Sequence, residues 1–248
     1  MTGTKLEVCV DTIEGAWTAA ESGADRIELC AALSEGGLTP SAGMMAAASR
    51  LPVPVFAMIR PRSGDFRYSD AEKTIMLRDI QLAKQQGMSG IVTGATDSAG
   101  RLDLEFLSPA LRETRLPATL HRVFDTLQDV PLAISDAVEL GFERILTSGQ
   151  GRKAEQHLQA LAEIVRIADG RISVMAGSGV THMNATRILI EAGVQELHSS
   201  CSVRESSVPP NRPEIRLGFV AQDGITRTSA EQVRLLRSVV DTYDENRV

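Results

Sequence analysis

Four segments of this chain repeat one local pattern: a helix-like end, a glycine, then a short strand-like run. They read Ser22-Gly23-Ala24-Asp25-Arg26-Ile27-Glu28-Leu29, Gln86-Gly87-Met88-Ser89-Gly90-Ile91-Val92-Thr93, Leu140-Gly141-Phe142-Glu143-Arg144-Ile145-Leu146-Thr147 and Ala192-Gly193-Val194-Gln195-Glu196-Leu197-His198. Glycine suits the position just past a helix because it takes the left-handed backbone at little cost. The four glycines stand 64, 54 and 52 residues apart. One strand–helix unit needs roughly 30 residues, so each interval holds two units and the marked strands are the even ones of eight.

The odd strands fall in the gaps, at Leu6–Val10, Val55–Arg60, Ala118–Arg122 and Ile172–Ala176. Amphipathic helical runs alternate with the strands: Thr12–Ser22, Ser41–Arg50, Asp70–Gln86, Leu104–Thr114, Val130–Leu140, Ala154–Ala168, His182–Ala192 and Ser229–Tyr243. Thr228-Ser229-Ala230-Glu231 has the form of a capping box, and Ser69-Asp70 precedes Glu72 in a first turn. Eight such alternations without a break in composition predict one parallel (β/α)₈ TIM barrel over residues 1–248, a usual length for that fold. A doubly wound open sheet is the competing architecture. Two long loops, Ala31–Pro40 and Ser202–Arg227, follow strands two and eight and belong on the barrel's C-terminal face, as lids, binding loops or assembly contacts.

A formal charge of −6 without any basic stripe argues against nucleic-acid binding. The start lacks a signal-peptide pattern, and the apolar runs are too short for a membrane span. Three widely spaced cysteines, Cys9, Cys30 and Cys201, suit a reduced cytoplasmic setting with free thiols. The four lysines all lie away from the apolar ends of strands. Only Lys153 comes near one, so a lysine–imine mechanism is disfavoured.

Polar residues recur in the apolar strand runs, and burying them is costly unless they are paired or functional. Strand residues alternate in direction. With the apolar side facing the helices, Glu7, Cys9, Glu28, Cys30, Met58, Arg60, Thr119, His121, His198 and Ser200 should point into the barrel. Glu7, Glu28, His121 and His198 are then candidate acids and bases, and equally have the composition of a divalent metal site. Ion pairing such as Glu28 with Arg60 is the structural alternative. Arg60-Pro61-Arg62 places two arginines around a rigid proline, suited to clamping an anion unless they pair with Glu28 or Asp65. Gly177-Ser178-Gly179 after strand seven, with Ser199 and Ser200 after strand eight, adds candidate anion donors where this fold commonly holds phosphate. The thiols on strands one, two and eight would suit Cu(I), although a free cysteine is commonly just a small buried hydrophobe.

Asp25-Arg26-Ile27-Glu28-Leu29-Cys30-Ala31, Glu35-Gly36-Gly37-Leu38-Thr39-Pro40-Ser41, Arg60-Pro61-Arg62-Ser63-Gly64-Asp65-Phe66 and His121-Arg122-Val123-Phe124-Asp125 together resemble the CutC copper homeostasis family. Leu146-Thr147-Ser148-Gly149-Gln150, Met175-Ala176-Gly177-Ser178-Gly179-Val180 and Leu197-His198-Ser199-Ser200 continue the resemblance across nearly the whole chain. Ser63 and Ser178 depart from the family's usual glycine and alanine. The resemblance implies a cytoplasmic barrel, often a homo-oligomer, that handles copper. Cys30, inside the strongest motif, is the first candidate Cu(I) ligand and Cys9 the second. The alternative is a lyase, isomerase or hydrolase acting on a small anionic or phosphorylated metabolite at the barrel mouth.

Overall fold

The computed structural model describes residues 3–205 and 212–247. Eight parallel strands close into a barrel in sequence order: β1 (Lys5–Val10), β2 (Arg26–Leu29), β3 (Val55–Met58), β4 (Gly90–Thr93), β5 (Ala118–Leu120), β6 (Arg144–Thr147), β7 (Ser173–Ala176) and β8 (Glu196–Ser199). β8 returns to pair with β1, which excludes the open sheet. The helices α1 (Ile13–Glu21), α2 (Ala42–Ala48), α3 (Asp70–Gln85), α4 (Leu104–Thr114), α5 (Val130–Leu140), α6 (Leu158–Ala168) and α7 (Ala185–Ala192) alternate with the strands. The glycines of the fourfold pattern all take the left-handed backbone, with φ of 110°, 79°, 84° and 69° at Gly23, Gly87, Gly141 and Gly193.

The helices start where short polar side chains accept free backbone N–H groups. Thr12, Ser41, Asp103 and Asp129 cap α1, α2, α4 and α5. Ser69 and Glu72 form a reciprocal capping box on α3. The long segment after β8 has structure of its own. It holds β9 (Ser202–Glu205), the short helix α8 (Pro213–Arg216) and β10 (Ile225–Thr228), with β10 antiparallel to β9; residues 206–211 of the predicted loop lie outside the described residues. The last helix, α9 (Ala230–Asn246), is capped by Ser229, which accepts from Gln232 N. The predicted box lies one residue too early because Thr228 is committed to β10.

Apolar side chains divide into two clusters. The large one fills the space between strands and helices, with Leu6, Val8, Val10, Ile27 and Leu29 facing outward into it. The small one lies inside the barrel and joins Cys30, Phe56, Met58 and Val92. The rest of the interior is largely polar. At the bottom Arg26 pairs with Glu7 and Glu196, and Arg144 donates to Glu196 and to Thr119. Both guanidinium groups lie over the Phe56 ring, 5.2 Å from its centroid for Arg26 and 5.1 Å for Arg144. Ser173 donates to Glu196 at 2.7 Å. No helix among the described residues is long and apolar enough to cross a membrane.

Candidate functional site at the barrel mouth

Strand register decides which inward residues meet. Glu7 sits opposite Arg26 on one side and His198 on the other, while Cys9 sits opposite Glu28. One layer of the barrel thus holds Glu7 and His198, and the layer above holds Cys9 and Glu28. His198 Nδ1 lies 2.8 Å from Glu7 Oε1, and its Nε2 lies 3.6 Å from Glu28 Oε2. One ligand atom from each of Cys9, Glu28 and His198 lies within 4.8 Å of the others, the single such grouping among the described residues. All three residues are buried and line a cavity of about 430 Å³ that opens at the C-terminal mouth.

Electrostatics differ sharply between the two glutamates. Burial would raise Glu7, but Arg26 and His198 carry it down to about 2. Glu28 has no arginine in contact, and burial raises it to about 7 against the pull of His198, 3.6 Å away. Its Oε1 has no hydrogen-bond partner. Burial also works against a charged His198, but Cys9, Glu28 and Glu7 outweigh it and hold its pKa well above the ordinary value.

On the opposite wall, His121 follows β5 and caps a short 3₁₀ helix over Arg122–Thr126, its Nδ1 accepting from Val123 N. An accepting Nδ1 places the ring proton on Nε2, and that nitrogen has no partner. Burial, followed by the Arg60 charge, lowers His121 to about 3, so the ring is neutral. Arg60 leaves β3 toward the loops. Its terminal nitrogens donate to the carbonyls of Glu35, Gly37 and Gly64, which ties the loops after β2 and β3 together. Phe66 packs against both, 5.1 Å from the Arg60 guanidinium and 4.9 Å from the His121 ring.

Several predicted site residues are placed elsewhere. Arg62 lies outside the cavity wall and binds Glu72 in the first turn of α3 and Asp65 in the loop before it. The chain has left the sheet by then, so Arg62 does not share the direction of Arg60. Glu7 is fully buried beneath the cavity and reaches it only through His198. Cys30 is sealed between Gly37, Phe56 and Met58 and donates its thiol to Glu28 at 3.6 Å. Burial, then the Glu28 charge, raises its pKa well above the ordinary value. The β1–β2 register sets Glu28, rather than Cys30, directly opposite Cys9.

Of the strand-seven turn, Ser178 and Gly179 line the cavity with left-handed φ of 75° and 77°. Gly177 does not; its N–H binds Thr147 O, and a Cβ there would lie 2.5 Å from Leu146. Ser199 Oγ donates to Val180 O, and Ser200 Oγ pairs with Ser202 Oγ. Both hydroxyls at the rim are thus already engaged. The sequence reading missed Phe66 and His182 in the wall and Gln232 and Leu236 of α9 closing one side. Asp125 was also missed as an anchor: it accepts from Arg122, Thr147, Ser148 and Gln150 and so fixes the loop after β6.

The CutC family pattern matches residues 4–203. A Sinorhizobium medicae family protein CutC is 47% identical over 238 residues, covering 95% of this chain and 96% of its own length. The human copper homeostasis protein cutC homolog is 42% identical over 243 residues, covering 96% and 89%. The crystal structure of the Streptococcus agalactiae CutC protein superposes with a TM-score of 0.76 at 32% identity, over 79% of this chain and 98% of that one. A thiamine phosphate pyrophosphorylase from Pyrococcus furiosus, 14% identical with a TM-score of 0.59 over 97% and 96%, shares the fold alone. With a family match over most of its length and full-length relatives above 40% identity, this chain belongs to the CutC copper homeostasis family.

Proposed function

We propose that the barrel mouth binds Cu(I) as cargo through Cys9 Sγ and His198 Nε2, with Glu28 beside them as a third donor. The observation that carries this reading is the convergence of three ligand atoms within 4.8 Å in a buried cavity wall. A thiolate and an imidazole form a soft donor pair that Cu(I) accepts at low coordination number. Glu7 holds the Nδ1 side of His198, which leaves Nε2 as the donor once its proton departs. Binding at Nε2 would release that proton, so affinity should rise with pH. The copper homeostasis name carried by the human relative points the same way.

Competition against a chromophoric Cu(I) chelator tests the assignment. Cys9→Ser and His198→Gln should each weaken Cu(I) binding at least about 10–100-fold, the range seen for loss even of outer-shell partners. Cys30→Ala should leave it within a few fold. Unchanged affinity in Cys9→Ser, or a loss confined to Cys30→Ala, overturns the reading.

A further inference from the structure

Arg60 is a cation without a counter-ion. Its residue exposure is only 6%, yet no carboxylate lies within ion-pair distance among the described residues. Three of its five N–H donors meet backbone carbonyls, and Nε has no hydrogen-bond partner. The Tyr68 hydroxyl lies within reach of the Arg60 guanidinium but makes no well-formed hydrogen bond, and because burial raises its pKa it keeps its proton and brings no charge. Beside Arg60, His121 presents a neutral ring whose Nε2–H is also unpartnered. Both residues line the same cavity, and the Phe66 ring packs against both. A buried charge and two orphaned donors are costly to keep, and an anion is the partner that would satisfy all three.

We infer that the cavity carries a second subsite, separate from the Cys9–His198 pair, in which Arg60 Nε and His121 Nε2 hold the carboxylate of a small organic acid. Two single N–H donors and one unbalanced positive charge match the two oxygens and one charge of a carboxylate. A phosphate brings more oxygens and up to two charges. The same cavity is also lined by Glu35, whose carboxylate opposes a second negative charge. A volume of about 430 Å³ leaves room for several more heavy atoms beyond the carboxylate, against a wall that includes Leu33, Met58, Phe66 and Leu146. The inference does not depend on copper.

The test uses metal-free full-length protein with ¹⁵N-labelled histidine and arginine, titrated separately with acetate, inorganic phosphate and chloride at constant ionic strength. Acetate should shift the His121 Nε2–H and Arg60 Nε–H resonances saturably in the millimolar range suited to so small a ligand. Because Arg60 also clamps two loops, the decisive variant is His121→Asn. Its Oδ1 can still accept from Val123 N and keep the turn capped, but nothing reaches the Nε2 position. It should weaken acetate about tenfold or more, with the Arg60 resonance otherwise in place and melting temperature little changed. Cys9→Ser should bind acetate like the wild type, so this inference and the copper assignment can fail independently. Absence of a saturable shift, equal response to chloride, tighter binding of phosphate than of acetate, or an undiminished response in His121→Asn overturns it.

Discussion

His198 Nδ1 and Glu7 Oε1 lie 2.8 Å apart on neighbouring strands, held there by the β1–β8 register. Glu7 is itself fixed from the other side by Arg26. The ring of His198 can therefore neither flip nor present Nδ1 to the cavity. Glu7→Gln keeps the shape and removes the charge that fixes this orientation. It should lower Cu(I) affinity about 10–100-fold without touching the metal. Chelator competition on the folded protein checks the affinity, and histidine ring ¹⁵N shifts check the tautomer.

Glu28 predicts an unusual fall in stability between pH 4.5 and neutrality. Below pH 4.5 the carboxyl is protonated in both states. Between 4.5 and about 7 the unfolded chain ionises while the folded chain keeps the proton, so stability decreases as pH rises. Glu7 acts oppositely, since its stabilisation is present above 4.5 and is lost as pH falls toward about 2. His198, raised above 6.5, adds stability that is complete below 6.5 and lost only at higher pH. From pH 4.5 to 6.5 the slope thus belongs to Glu28 among these three. Glu28→Gln should remove a decline on the order of 2 kcal/mol there. Urea midpoints across the window measure it; an identical slope in wild type and variant refutes it.

The barrel floor depends on Glu196, which is shared by Arg26 and Arg144. Glu196→Ala leaves Arg144 facing only Thr119 inside the barrel and the half-exposed Glu143 outside. Loss of one partner from a buried ionic group typically costs about 3–5 kcal/mol. Urea denaturation should show a loss of this size, and a loss under about 1 kcal/mol would mean that water replaces the carboxylate.

Gly90→Ala should also destabilise, for a steric reason. A Cβ at Gly90 would stand 2.5 Å from the Phe56 ring, which is in contact with the Arg26 and Arg144 guanidinium groups. Overpacking of this kind costs about 1–3 kcal/mol. Thermal melting measures the cost, and the paired variant Gly90→Ala, Phe56→Leu should recover part of it.

Period-two alternation made Cys9, Glu28 and His198 readable as inward residues before any coordinates. The same alternation applied two residues earlier would have found Arg26 and Glu196. They were passed over because charges at the start of a strand look like loop residues, whereas here the polar groups continue to the bottom of the barrel. Arg62 was read from the Arg60-Pro61-Arg62 motif, and of the two roles that motif allowed, clamping an anion or pairing with a neighbouring carboxylate, its side chain takes the pairing with Asp65. The choice of Cys9 with Glu28 over Cys9 with Cys30 required the register between β1 and β2, a relation between strands that no single run of sequence records. The orphaned nitrogens of Arg60 and His121 were likewise invisible, because they depend on where three loop carbonyls and one backbone N–H fall.

The Arg26–Glu196–Arg144 floor turns the barrel into a vessel with one doorway. Anything that reaches Cys9 must leave past the rim it entered, so arriving and departing molecules compete for one passage and none can be displaced from behind. Residence time is then governed at the rim, by the Glu35–Gly37 loop that Arg60 holds down and by the flank of α9. Substitutions far from the bound species, on those two elements, should tune exchange rates while leaving equilibrium affinity almost unchanged.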